Sequence, residues 1–288
     1  MIPASRSSHA RWLLLAAPPG AASMLVLAIG GVGYATWTVQ LAAIALAGAL
    51  ALGLRTLARA WRGGAWANGL LMVSVGALAL PFLRTADGPA RWISLGGMLL
   101  YVAPAVLPSA IASFAVLLRD TPRSERGALV AIPVAAALLA LQPDASQVVA
   151  LLAACGVHLT QRRRWTPGRL LALGAVALLA AWSFTRPDPL QPVPHVEGVF
   201  ALALGRSIVA GLAVILAAAA FVVGVARSAG RNESWHVAVA TYYAALFACS
   251  VAGLTPAPLI GYGAGPWLGF GMLAGVARGL EVATDPAP

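Results

Sequence analysis

Residues 127–160 read GALVAIPVAAALLALQPDASQVVALLAACGVHLT, an almost continuous apolar stretch with the polar triplet Gln142-Pro143-Asp144 near its middle. It is either one very long helix or two shorter ones. Arg119, Arg123 and Arg126 precede it, and Arg162, Arg163, Arg164 and Arg169 follow it. One membrane crossing would put these two basic clusters on opposite faces. Two crossings put both on the cytoplasmic face, where arginine and lysine accumulate. Pro143 also lacks the N–H that a continuing helix needs. The stretch therefore reads as two spans, 127–142 and 145–160, turning back at Gln142-Pro143-Asp144.

The same pattern extends over the whole chain. Of its 288 residues 60% are hydrophobic and only 10% charged, with a mean hydropathy of +0.84. A soluble domain carries about 25% charged residues. Backbone polar groups in lipid must be satisfied internally, which leaves a helical bundle or a closed barrel. The apolar runs are continuous rather than alternating, which selects helices. The expected fold is all-α: a polytopic bundle of about ten transmembrane helices forming a single integral-membrane domain, 1–288. The spans fall at roughly 12–34, 37–54, 66–83, 92–118, 127–142, 145–160, 169–184, 198–226, 235–254 and 258–280. A cleaved signal peptide is the alternative for the first, because Pro18-Pro19-Gly20 interrupts its apolar core.

Net charge is +10, and all 19 basic residues are arginine. They punctuate apolar runs instead of lining one soluble face, which argues against nucleic acid as a partner and for membrane lipids. With ten spans and both termini cytoplasmic, 15 arginines lie inside. Only Arg84, Arg91 and Arg186 lie outside, and Arg206 falls within the eighth span. Most of the nine tryptophans flank spans, as interfacial residues do. Cys155 and Cys249 sit inside apolar runs and read as packing residues.

The unusual residues gather on the outer face. Glu197 lies where the Pro-rich segment Pro192-Val193-Pro194-His195 meets the eighth span. An acid at a membrane boundary is costly unless it is paired or used, so Glu197 is either a working carboxylate or a charge favoured by the helix N-terminus. Arg91 and Arg186 offer forked donors suited to phosphate, or they anchor at lipid headgroups. Asp144 either touches substrate and organises the pocket, or caps the turn after Pro143. Asp188 reads as a site residue or an exposed turn. His195 could orient a sugar, bind a metal or simply be exposed. Arg206, as an intramembrane charge, is a functional residue or a snorkelling one.

Four segments together resemble the SEDS family (shape, elongation, division and sporulation), the RodA/FtsW-like glycosyltransferases. They are Arg91-Trp92 with Leu95-Gly96-Gly97; Leu141-Gln142-Pro143-Asp144; His195-Val196-Glu197-Gly198-Val199-Phe200; and Gly261-Tyr262-Gly263 with Gly265. They follow the family's order at matching helix ends. The resemblance covers about residues 60–280 and implies ten helices in the bacterial inner membrane, with both termini inside. It implies polymerisation of a lipid-linked precursor, an undecaprenyl-pyrophosphate disaccharide (lipid II), into glycan on the outer face. It further implies a class B penicillin-binding protein as partner, in cell shape or division. On this resemblance Glu197 takes the place of the family's catalytic aspartate, with a side chain longer by about 1–1.5 Å, and acts as general base. The family's charged residues in helix four fall on Ala110 and Ser113, and its acidic pair in helix eight falls on Gly205 and Arg206. No cofactor is demanded, and a divalent cation is left open. A catalytically degenerate scaffold that binds precursor or partner is the alternative reading; a transporter or flippase is a third.

Overall fold

The structure, a computed structural model, describes residues 11–12, 14–60, 64–83, 90–95, 98–119, 122–162, 165–186, 192–228 and 235–282. The described elements are α1 (Ala17–Ile29), α2 (Tyr34–Ala60), α3 (Gly64–Ala79) with a 3-10 turn (Leu80–Leu83), the strands β1 (Trp92–Leu95) and β2 (Met98–Tyr101), α4 (Val102–Leu117), α5 (Pro122–Leu141), α6 (Ala145–Arg162), α7 (Pro167–Ser183), α8 (Val199–Arg206), α9 (Ile208–Arg227), α10 (Trp235–Val251) and α11 (Ala264–Val282). Four helices are long and apolar enough to cross a membrane, and six more are apolar but shorter. Each expected span overlaps one of these ten. The chain is a polytopic helix bundle.

The bundle is built around α4, none of whose residues is exposed. It is enclosed by α3, α5, α6, α10 and α11. Between apolar helices in lipid there is little hydrophobic drive to associate, so close contact must come from small side chains. α11 supplies them on two faces. A Cβ on Gly269 would overlap the Pro104 carbonyl oxygen of α4, and one on Gly271 would overlap the Ala47 carbonyl oxygen of α2. The backbones of three helices thus meet along α11.

The turn at Gln142-Pro143-Asp144 divides α5 from α6 as expected. Two other segments differ from the sequence reading. The expected helix 92–118 begins instead as an antiparallel hairpin, with Trp92 opposite Tyr101 and Leu95 opposite Met98. Only Gly96 and Gly97 separate the strands, the composition of a two-residue hairpin loop. The aromatic and β-branched residues around them suit strands better than a helix. Trp92 and Tyr101 close the open end with ring centroids 5.7 Å apart, and Val102 N–H donates to the Arg91 carbonyl at 3.2 Å.

The expected helix 198–226 is two helices. Ser207 is extended (φ −168°, ψ 153°), and its hydroxyl accepts from Ala210 N–H at 3.0 Å. A serine side chain can thus replace a backbone partner and start a new helix. Leu204 and Gly211 come into contact across the break, so α8 and α9 meet at a sharp corner. α9 has 20 residues, about 30 Å at 1.5 Å per residue, which is the thickness of a hydrocarbon core. Arg206 is exposed and lies just before that helix, at the corner, not inside a continuous span.

Candidate functional site

Two polar groups of residues are tied to α10, the first through Tyr242 and the second through Ser250. The first centres on the turn between α5 and α6. Tyr101 Oη donates to Asp144 Oδ2 at 2.5 Å, and Ser146 Oγ donates to Asp144 Oδ1 at 3.3 Å. The Gln147 backbone N–H also bonds the carboxylate, so Asp144 is the N-cap of α6. Arg91 donates from Nε to the Gln142 carbonyl at 2.9 Å and from Nη2 to the Pro143 carbonyl. Gln142 Nε2 reaches the Leu78 carbonyl at 2.6 Å, and Tyr242 Oη donates to Gln147 Oε1 at 2.8 Å. Burial pushes the Asp144 carboxyl above its ordinary range, against the pull of the Arg91 guanidinium and the Tyr101 hydroxyl. The hydroxyl of Tyr101 is pushed up by burial and then by the Asp144 charge. Arg91, Asp144 and Tyr101 are all buried. The network therefore holds the turn rather than facing solvent.

The second group carries Glu197. The N–H groups of Val196, Glu197 and Gly198 all point at the Val193 carbonyl, at 3.0, 2.9 and 3.2 Å. The Glu197 carboxylate closes the same turn by accepting from Val193 N–H at 2.8 Å. α8 starts at Val199 with Gly198 as its N-cap. Glu197 thus precedes the cap, and its half-buried side chain folds back over the turn instead of entering the first helical turn as expected. Ser250 of α10 donates to the Glu197 carbonyl at 3.2 Å.

The turn rests on the loop before α11. Tyr262 N–H donates to the His195 carbonyl at 3.0 Å, and Ala257 N–H donates to the Val196 carbonyl at 3.2 Å. The His195 and Tyr262 rings lie 6.1 Å apart, tilted by 60°. A Cβ on Gly261 would overlap the Val196 carbonyl oxygen, so only glycine lets loop and turn approach this closely. Two of the four sequence segments, His195–Phe200 and Gly261–Gly265, are therefore one structural unit. The other two, at Arg91 and at Leu141–Asp144, are also joined.

Arg186 is half-buried after α7, with its guanidinium carbon 5.2 Å from the Trp182 ring centroid. Arg206 lies at the far end of α8 from Glu197. Asp188 is outside the described residues, as are Gly96 and Gly97. Among the described residues, no group of three or more His, Cys, Asp or Glu is placed to hold a metal ion.

Sequence reasoning missed Gln40, Ser250, Tyr101, Gln147 and Tyr242. Gln40 has the clearest signal in retrospect: an uncharged amide inside the long apolar run of α2 must find partners. The hydroxyls of Ser250 and Tyr242 are ordinary helix residues in sequence and become visible only through their partners.

No protein-family model matches the chain, and no curated protein matches it significantly. Among solved structures, the crystal structure of the Thermus thermophilus rod shape determining protein RodA matches with a TM-score of 0.70 at 21% identity, over 96% of this chain and 97% of that one. A point mutant of the same RodA matches with a TM-score of 0.58 at 20% identity, over 92% of this chain and 98% of that one. A chain from a structure described as structural coordination of polymerization and crosslinking by a peptidoglycan synthase complex matches with a TM-score of 0.56 at 19% identity, over 90% and 97%. Over nearly its whole length the chain has the fold of the SEDS protein RodA.

Proposed function

We propose that the chain is a multi-pass protein of the bacterial inner membrane that acts in cell-wall synthesis as a SEDS-type glycosyltransferase, polymerising a lipid-linked disaccharide on the outer face. The observation that carries this reading is the Glu197 turn: a half-buried carboxylate on a backbone fixed from two sides, in a chain of RodA fold. In the proposed step, Glu197 takes the proton from the acceptor sugar hydroxyl. The hydroxyl oxygen bonds to the anomeric carbon of the donor, and the bond from that carbon to the lipid pyrophosphate breaks. Such a base contributes about 10²–10⁴-fold. Its hydrogen bond from Val193 N–H fixes where the carboxylate sits. Arg186 is the more accessible candidate for the pyrophosphate, since Arg91 is buried and turned to backbone carbonyls.

A second reading, a non-catalytic scaffold that binds precursor or a class B penicillin-binding protein, is favoured by the apolar surroundings of α4. There Ser109 and Ser113 are buried and no charge remains. One experiment separates the two. The purified protein is incubated with labelled lipid II, alone and with a transpeptidase partner. The expected outcome is glycan polymer from the wild type and a loss of at least about 10²-fold in Glu197→Gln. Equal polymer from both proteins overturns the catalytic role. Absence of polymer with partner co-purification that survives Glu197→Gln establishes the scaffold.

A further inference from the structure

Gln40 lies in α2, fully buried, and its side-chain amide uses both of its donors and one of its two acceptor positions. Nε2 donates to Ser23 Oγ of α1 at 2.9 Å and to the Gly261 carbonyl at 3.4 Å. Oε1 accepts from Gly263 N–H at 3.1 Å. Ser23 and Gln40 are the buried polar side chains of α1 and α2 among the described residues, and they bond one another. The amide thus grips both sides of Tyr262. Tyr262 N–H holds the His195 carbonyl, and Ala257 N–H of the same loop holds the Val196 carbonyl. The two peptide carbonyls immediately before Glu197 are therefore set by a loop that Gln40 ties to the first two helices.

The loop has reason to need a tie. Leu259 is buried and has φ of 63°, and Gly263 has φ of 146°. A bulky residue at positive φ is strained and persists only where its surroundings over-determine it. Buried hydrogen bonds to Gln40 are part of that over-determination.

We infer that Gln40 is a positioning residue: its amide fixes the Gly261–Gly263 turn, and through it the backbone that aims Glu197. The inference rests on the proposed role of Glu197 for its catalytic consequence, but its structural half stands without it. The test uses the full chain in detergent, comparing wild type, Gln40→Met and Ser23→Ala by hydrogen–deuterium exchange and by polymerisation of labelled lipid II. Gln40→Met keeps the shape and removes every hydrogen bond; Ser23→Ala removes one bond and keeps the fold if Gln40→Met loses it. The expected result is at least about tenfold faster exchange in peptides covering both 193–198 and 257–263, smaller in Ser23→Ala, with α4, α5 and α6 unchanged. Faster exchange confined to 257–263 in the folded variants overturns the inference. Where the wild type polymerises, Gln40→Met lowers kcat about 10–100-fold, the effect of a misplacement of about 1 Å, and leaves KM within about twofold. A loss carried by KM, or one that scales with the folded fraction, also overturns it. A wild type without polymerase activity sinks the proposed function and leaves the exchange comparison to decide the inference.

Discussion

Glycines 261 and 263 sit two residues apart and are needed for different physical reasons. Gly261 has ordinary φ but no room, because a Cβ would overlap the Val196 carbonyl oxygen and lie 3.2 Å from Ala257 N and O. Gly263 has room but a φ of +146°, a region L side chains rarely adopt. Gly261→Ala and Gly263→Ala are each expected to destabilise by about 1–3 kcal/mol, read as a lower unfolding midpoint in detergent. Gly261→Ala displaces Val196 directly, whereas Gly263→Ala reaches the Glu197 turn only through the loop, so Gly261→Ala should lower polymerisation per folded molecule more. Equal activity in the two variants would show that the turn tolerates the shift. The sequence pointed to both glycines as a motif but not to these separate causes, since neither φ nor contact distance is written in a Gly-Tyr-Gly string. Glu197 was legible because a carboxylate beside an apolar run always needs an explanation. The buried environment of Arg91 was not. Its sequence neighbourhood suggested phosphate or headgroups, whereas two of its donors bond the carbonyls of Gln142 and Pro143.

At the scale of elements, the period-free apolar runs located the helices well and their interruptions poorly. The α5–α6 turn was legible because proline and arginine placement both marked it. The break at Ser207 was hidden, since one serine among apolar residues is unremarkable until its hydroxyl is seen to cap Ala210. The hairpin at 92–101 was misread because apolar residues on a short two-stranded sheet look like the start of a span, although Gly96-Gly97 carried the signal. The role of α11 was also unread, despite Gly265-x-x-x-Gly269 and Gly271-x-x-x-Gly275 in its sequence. These pairs face different helices, α4 and α2. Gly269→Ala and Gly271→Ala should therefore each loosen a separate interface. They lie two residues apart on one helix, nearer than the spacing at which losses reliably add, so losses that add within about 0.5 kcal/mol in the double variant would show that the two interfaces yield independently. Strong non-additivity in thermal unfolding would mean that α11 shifts as a rigid body and trades one interface against the other.

For the molecule as a whole, packing and charge divide the chain into the same two ends by independent routes. At one end the hairpin bonds the Asp144 turn and the 257–263 loop bonds the Glu197 turn, each pair through its own hydrogen bonds. At the other end Arg169 pairs with Glu125 at 2.7 Å and donates to the Leu118 carbonyl at 3.2 Å, tying α4, α5 and α7. The arginine distribution separates these ends too, although it knows nothing of contacts. Charge therefore assigns the direction that packing leaves undefined, and the Arg169 end should face the cytoplasm. Single cysteines test this in a background with Cys155 and Cys249 replaced by alanine. Thr185→Cys and Pro192→Cys lie at exposed positions of the Glu197 end, and Gln161→Cys is exposed at the other. In intact cells with a permeable outer envelope, a membrane-impermeant maleimide should label the first two and reach Gln161→Cys only after the inner membrane is opened. The opposite pattern would turn Glu197 to the cytoplasm, away from any substrate polymerised outside. Labelling of all three in intact cells would mean that the six short helices do not seal the bundle across the bilayer, and the ten-span reading would fail with it.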